Sequence, residues 1–355
     1  MRDQTPGVRG RGAAENPTNR FERIAVEMEV EGPERVETEY LRDASRSVIT
    51  HNDSPDVGFS SSLNPYRGCE HGCIYCYARP THEYVGFSAG LDFESRILVK
   101  EDAAALLRRE LSSPRWQPEV LAMSGVTDPY QPVERKLEIT RRCLEVLAEL
   151  RNPVGVITKS ELVTRDIDLL AELAGHQAAA VSLSITTLDP ELARRMEPRA
   201  SHPRDRLKAI ERLAAAGIPT SVMVAPIVPA LTDHEMPRIL EAAAAAGACG
   251  AGYTVMRLPG AVAGLFEAWL GRHFPERKEK ILNRVRELRG GRLNDPRFGS
   301  RMRGEGVFAA QIKTLFETAR RRYGLDQKRL ELSTAAFRRP AAASDGPRQL
   351  GLFGG

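Results

Sequence analysis

The sequence predicts an α/β chain whose central part folds as an incomplete (β/α)6 barrel, and three observations lead there. Short apolar runs recur at 97–99, 120–123, 154–157, 180–185, 220–224 and 252–256, the pattern of strands buried on both faces. Helix-period segments separate most of them, as parallel strands joined by right-handed crossovers require. Start and stop signals punctuate those segments at the right places.

Residues 1–20 hold glycine, proline, arginine and asparagine without periodicity, and are expected to be disordered. Residues 24–30 alternate apolar and charged side chains, as a short strand does. Polar residues dominate through Pro55, so 1–58 is read as an N-terminal extension. The segment 137–150 predicts a helix with Cys143, Leu147 and Leu150 on one face. A second helix carries Leu169, Leu170 and Leu173 and stops at Gly175. Asp189 followed by Pro190 is a helix start, and 203–216 is a helix closed by Gly217. The helix ending near Ala246 has a start blurred by Pro237.

Beyond Pro259 the pattern is helical, and 261–340 is read as a basic helical segment. Leu265, Phe266 and Trp269 share one face. Ile281, Leu282, Val285 and Leu288 share another, and Phe308, Ile312, Leu315 and Phe316 a third. Residues 341–355 read as a flexible tail.

An apolar fraction of 42% over 355 residues is ample for a buried core. No apolar run reaches the roughly 18 residues of a membrane span. The first residues lack the apolar heart of a signal peptide. Five cysteines, three of them clustered, suit a reducing compartment, so a cytoplasmic protein is expected. From Arg257 onward Lys and Arg outnumber Asp and Glu by 21 to 10; with +4 on the whole chain, residues 1–256 carry −7. A basic segment on an acidic body suits a polyanionic partner, with DNA or another nucleic acid first, although a solvated arginine-rich surface has the same composition.

The chemistry concentrates in Asn64-Pro-Tyr-Arg-Gly-Cys69-Glu-His-Gly-Cys73-Ile-Tyr-Cys76-Tyr-Ala-Arg-Pro80. Thiolates at this spacing select zinc, copper(I) or an iron–sulfur cluster. A cubane cluster takes four cysteines; three close together leave one iron open to a small molecule. Gly68 and Gly72 supply the backbone freedom of a tight loop. Tyr75 and Tyr77 flank Cys76 and limit solvent there. The bland alternative is a structural zinc loop with His71 or His82 as fourth ligand, but zinc sites usually bring a second ligand pair farther along, and Cys143 and Cys249 stand alone. His202, His234 and His273 are scattered and read as ordinary surface or core residues.

C-x3-C-x-aromatic-C resembles the signature of the radical S-adenosylmethionine (radical SAM) superfamily, with Tyr75 at the aromatic position. N-P-Y-R-G-C-x-H-x-C-x-Y-C-Y is similar to the branch that includes spore photoproduct lyase, and the resemblance spans residues 60–260. It implies a radical-SAM-type barrel over 59–260, with Cys69, Cys73 and Cys76 holding a [4Fe-4S] cluster. The open iron would chelate S-adenosyl-L-methionine, and one electron from a donor would cleave it to methionine and a 5′-deoxyadenosyl radical.

Ligands of such folds sit at the carboxyl ends of the strands, which makes the polar residues there candidates. The superfamily binds the methionyl ammonium after the second strand, often with Gly-Gly-Glu. That motif is absent, leaving Ser124, Thr127 or Asp128. Lys159 stands where the lyase branch places a lysine for the cofactor carboxylate, and Ser184 and Thr186 are placed to meet the ribose. The lyase also returns hydrogen from a cysteine on its second strand; residues 120–125 contain none, a departure that leaves the substrate open, with a DNA repair-like action on nucleic acid as the expectation. Two other readings stay open, a radical SAM maturase acting on a protein or peptide and a non-catalytic, metal-stabilised DNA-associated adaptor. Finally, Gln349-Leu350-Gly-Leu352-Phe353 resembles the peptide that docks bacterial proteins on the replication sliding clamp, two or three apolar anchors entering a preformed groove.

Overall fold

The structure, a computed structural model, describes residues 8–21, 36–327 and 331–339. The strand expected at 24–30 and the Gln349–Phe353 peptide lie outside these residues. The strands are β1 (Glu39–Arg42), β2 (Ile49–His51), β3 (Ser61–Leu63), β4 (Tyr66–Arg67), β5 (Arg96–Val99), β6 (Leu121–Met123), β7 (Val154–Thr158), β8 (Ala179–Ser184), β9 (Thr220–Ile227) and β10 (Gly250–Val255).

Seven strands form the main sheet in the order β10-β9-β8-β7-β6-β3-β2. Neighbours from β3 to β10 pair in parallel, and β2 caps the far edge antiparallel. Six parallel strands in chain order, with helices between them, make the incomplete (β/α)6 barrel. One expectation is corrected. The run at 97–99 is not the barrel's first strand; as β5 it pairs with β1 and β4 in a separate three-stranded sheet. The first barrel strand is Ser-Ser-Leu, with both serines buried. Ser61 and Ser62 satisfy their hydroxyls on His51, Glu119 and the Thr50 carbonyl, so the strand has no apolar run to announce it.

The helices begin and end where local chemistry dictates. Asp189 accepts from the Glu191 amide at 2.8 Å and starts Pro190–Met196. His202 accepts from the Arg204 amide at 3.2 Å and starts Pro203–Ala215. Caps of this kind stabilise a helix by about 1 kcal/mol. The helix blurred by Pro237 runs Met236–Ala245, with that proline in its first turn.

Cys143, Leu147 and Leu150 are buried together in the main core, and Ile312 and Phe316 of helix Gly306–Arg322 join it. The Phe316 ring packs 4.5 Å from the Tyr253 ring on β10, tilted by 47°. Leu315, expected on that face, points outward at 43% exposure. Leu265, Phe266, Trp269, Ile281, Leu282 and Val285 build a second core around Ile74 and Tyr75, so the C-terminal helices buttress the cysteine loop. No helix among the described residues is long and apolar enough to cross a membrane.

Residues 8–21 form no helix or strand, yet they are seated against the body rather than free. The Gly12 and Ala13 amides each donate to Glu94 at 2.9 Å, and Asn16 donates to Asp92 at 2.9 Å. Irregular chain held by backbone donors on buried carboxylates leaves no periodicity in the sequence.

Candidate functional site

The cysteine loop leaves β4 at Gly68, which adopts φ 77°, and turns again at Gly72, φ 67°. Only glycine takes these angles without strain. A Cβ at Gly72 would also fall 2.7 Å from the Glu94 carboxylate. Cys69 donates its amide to Phe93 O at 2.8 Å, and Ile74 donates to Met196 O at 3.0 Å. Beneath the loop Arg79 is fully buried, ion-paired to Glu94, and donates to the carbonyls of Cys73 at 3.0 Å and Gly90 at 2.9 Å. A guanidinium's rigid fork suits this task of gathering several acceptors.

Cys69 and Cys73 are buried, Cys76 is half-buried, and all five cysteines are free thiols. Burial, reinforced by nearby acids and by the other cysteines, pushes the Cys69 and Cys73 thiols up. Burial raises Cys76 too, opposed by Arg79. Metal coordination reverses this by binding the thiolate. Among the described residues no three His, Cys, Asp or Glu side chains close on a single ion. Three soft sulfur donors on one loop are a donor set that fits an iron–sulfur cluster.

Neither histidine weighed as a zinc ligand joins the cysteines in a group able to hold a metal ion among the described residues. His71 Nδ1 lies 3.3 Å from Asp128. The His82 ring lies between Phe87 and Phe93, and burial lowers its pKa to about 4.

The carboxyl ends of β7, β8 and β9 bring four of the expected residues together. Lys159 Nζ donates to Ser184 Oγ at 2.8 Å and lies 5.8 Å from the centre of the Tyr75 ring. Ser184 donates to the Ala225 carbonyl at 3.0 Å, and Thr186 Oγ1 lies 3.4 Å from the same oxygen. The Tyr75 hydroxyl donates to Glu197 and lies 3.2 Å from Thr186 Oγ1, which itself donates to Glu197 at 2.7 Å. Glu197 is paired with buried Arg206.

The other three lie on the turn after β6, and Asp128 joins that turn to Lys159. Ser124 and Thr127 spend their hydroxyls on the carbonyls of Thr127 and Tyr66, at 3.1 and 3.0 Å. Asp128 accepts from Thr158 Oγ1 at 2.6 Å and the Lys159 amide at 2.7 Å, so it clamps this turn to β7. Its burial opposes ionisation, yet His71 and these donors hold its pKa at about 2.

Sequence reasoning missed Glu197, Arg206 and Glu94, and gave no role to Asn64 and Arg79 within the cysteine stretch. Asn64 accepts from the Val126 and Thr127 amides at 3.2 and 3.4 Å, tying the motif to the β6 turn. Arg206 carried a usable signal, because it falls on the buried stripe with Ala209, Ile210 and Leu213. A charge on an apolar face asks for a buried partner. Glu197 offered no such mark.

The sequence pattern of the Radical SAM superfamily matches residues 63–243. An uncharacterized protein of Mycobacterium tuberculosis is 41% identical over 232 residues, 65% of this chain and 67% of the relative. The radical SAM Nalpha-GlyT isomerase of Pseudomonas phage M6 is 29% identical over 180 residues, 50% of this chain and 35% of that protein. Among solved structures, spore photoproduct lyase complexed with dinucleoside spore photoproduct superposes with a TM-score of 0.58 at 15% identity, over 80% of this chain and 79% of the lyase. A doubly substituted form of that lyase with bound AdoMet and the same dinucleoside gives 0.56 at 15% identity, over 80% and 78%. At such identities the likeness is one of fold.

Proposed function

Because this chain belongs to the radical SAM superfamily, whose enzymes use a [4Fe-4S] cluster and S-adenosyl-L-methionine, we propose that Cys69, Cys73 and Cys76 hold the cluster and that the enzyme acts on nucleic acid. When bound and reduced, the cluster supplies the electron that cleaves the cofactor's sulfonium to methionine and a 5′-deoxyadenosyl radical. The protein binds, orients and shields.

Three free thiols on one loop, Cys69 and Cys73 buried and Cys76 half-buried, are the observation that carries the reading. Arg79 fixes the loop through its carbonyls, and Tyr75 locks it to the β8 end through Glu197. Lys159 offers the positive charge for the cofactor carboxylate, and Ser184 and Thr186 line the same strand ends. Ser124, Thr127 and Asp128 shape the facing turn.

The substrate reading rests on the +11 surplus from Arg257 onward. A solved lyase of like fold with a dinucleoside bound supports it. Strand β6 carries no cysteine, so hydrogen return to a thymine product by the lyase's route is not part of the proposal. The C-terminal Gln349, Leu350, Leu352 and Phe353 would tether the enzyme to the sliding clamp, which a clamp pull-down with and without the last seven residues tests.

Anaerobic reconstitution with iron and sulfide, followed by dithionite and S-adenosyl-L-methionine, tests the chemistry. 5′-Deoxyadenosine should form with the native protein and not with Cys73→Ala. No 5′-deoxyadenosine from the native, iron-loaded protein would sink the reading. A salt series of oligonucleotide binding against peptide binding separates nucleic acid from a protein substrate.

A further inference from the structure

Resting on the nucleic-acid reading, we infer that Phe298, Arg301, Arg257 and Tyr77 form a rim that takes a single nucleic-acid strand and holds one unstacked nucleotide beside Cys76.

The rim is built where the incomplete barrel is brought together. Strands β10 and β2 are opposite edges of the main sheet, and the segment 289–305 touches both the end of β10 and the loop that follows β2. On the β10 side, Val255 donates its amide to Met302 O at 2.9 Å. Buried Arg289 gathers the carbonyls of Val255, Met256 and Ser300 at 2.8, 2.7 and 3.0 Å. On the other side, Asp56, in the loop between β2 and β3, accepts from the Gly299 amide at 2.7 Å and from Arg301 Nε at 2.6 Å. The segment is therefore pinned at both edges, and what it displays is held in place.

It displays an aromatic ring with one face open. Arg301 covers one side of Phe298, 4.5 Å from the ring centre, while Phe298 stays 57% exposed. An apolar ring left in water at a fixed position, backed by a guanidinium, is a stacking platform for a base. Tyr77, next to Cys76, repeats the arrangement with Arg257 4.6 Å from its ring centre at 46% exposure. Its hydroxyl donates to Gly125 O on the β6 turn, which anchors the ring at the mouth.

The guanidinium over the Tyr77 ring is not tied up in a direct ion pair among the described residues. Arg301 is paired with Asp56, but Arg257 has no carboxylate at ion-pair distance among the described residues. Arg257 directly follows Met256 at the end of β10, and it senses the charges of Tyr77, Arg301, Asp56 and Cys76. An unneutralised guanidinium there is a bidentate receptor for a phosphate. Two half-exposed rings, each faced by a guanidinium, suit a strand whose bases are splayed, and a stacked duplex offers no free base face to them.

The test uses the full-length, anaerobically reconstituted protein and fluorescence anisotropy with short labelled oligodeoxythymidylate, the same length of duplex, and oligouridylate. The native protein should bind the strand more tightly than the duplex; the DNA and RNA strands tell which sugar is preferred. Phe298→Ala should weaken strand binding about tenfold or more and leave the salt slope unchanged, with Phe298→Trp restoring affinity. Arg257→Gln should weaken binding and reduce the slope of log affinity against log salt by about 0.7, one phosphate contact on a single strand. Iron content should be native in every variant. If the native protein binds the strand but both variants keep its affinity and slope, the rim assignment is wrong and the nucleic-acid reading survives. If the native protein prefers duplex and Phe298→Ala changes nothing, the rim is likewise excluded. If it binds no oligonucleotide at low salt, both fail together.

Discussion

Glu197 and Arg206 form an ion pair withdrawn from solvent, and Tyr75 and Thr186 turn their hydroxyls onto the same carboxylate. Burial alone would raise the Glu197 pKa. Arg206, then Lys159, then the two hydroxyls overcome it and bring the pKa down from 4.5 to about 2. A depressed carboxylate stabilises the fold fully above its unfolded value and loses that contribution as pH falls through the folded one. Glu197→Gln should therefore cost about 3–5 kcal/mol at neutral pH, because Arg206 is left buried and unpaired. The gap to the native protein should shrink as pH drops from 4.5 toward 2. Urea unfolding of the two proteins across that window measures it, and a gap that stays constant would refute the assignment.

Glu94 and Arg79 are the matching pair under the cysteine loop, both fully buried. Glu94→Gln should destabilise the metal-free protein by about 3–5 kcal/mol. It should also reduce the iron retained after desalting, since Arg79 would no longer be held against the Cys73 carbonyl. Native iron retention together with native unfolding would mean that the pair does not brace the loop.

Gly12 lies against the loop's outer side. A Cβ there would fall 1.9 Å from Gly72 O, a backbone atom that cannot step aside. Gly12→Val is expected to cost about 1–3 kcal/mol through overpacking and to expose residues 8–21 to limited proteolysis. Cleavage no faster than in the native protein would show that the segment is not seated there.

Lys159 touches Ser184 and the Tyr75 ring but no cysteine ligand bond. Lys159→Ala should leave iron content unchanged while weakening S-adenosyl-L-methionine binding about tenfold or more, the loss of one charge-assisted contact. Equilibrium dialysis reads this directly. Unchanged affinity would remove Lys159 from the cofactor site.

What the sequence made legible was local. Cys69, Cys73 and Cys76 declare themselves because all three ligands sit on one loop. Five of the six barrel strands announce themselves through apolar runs, while Ser61–Leu63 hides behind two serines whose partners are distant in the chain. The pairs Glu197–Arg206 and Glu94–Arg79 bring together residues 9 and 15 positions apart across irregular backbone, where no periodicity marks them. Asn64 joins residues 62 and 63 positions away. Leu315 shows the reverse failure: helical spacing put it with Ile312 and Phe316, but the neighbouring helices leave that edge of the stripe uncovered. The charge surplus after Arg257 was readable as a sum; that Arg257 makes no ion pair among the described residues while neighbouring Arg301 is paired with Asp56 required the fold.

One measurement bears most directly on the central claim that three thiolates leave an iron free for the cofactor. Electron paramagnetic resonance of the dithionite-reduced protein, reconstituted anaerobically to about four irons per chain, should give a cluster signal that shifts when S-adenosyl-L-methionine is added and is lost in Cys69→Ala. A protein that instead carries zinc, or a reduced cluster whose signal ignores the cofactor, would contradict it.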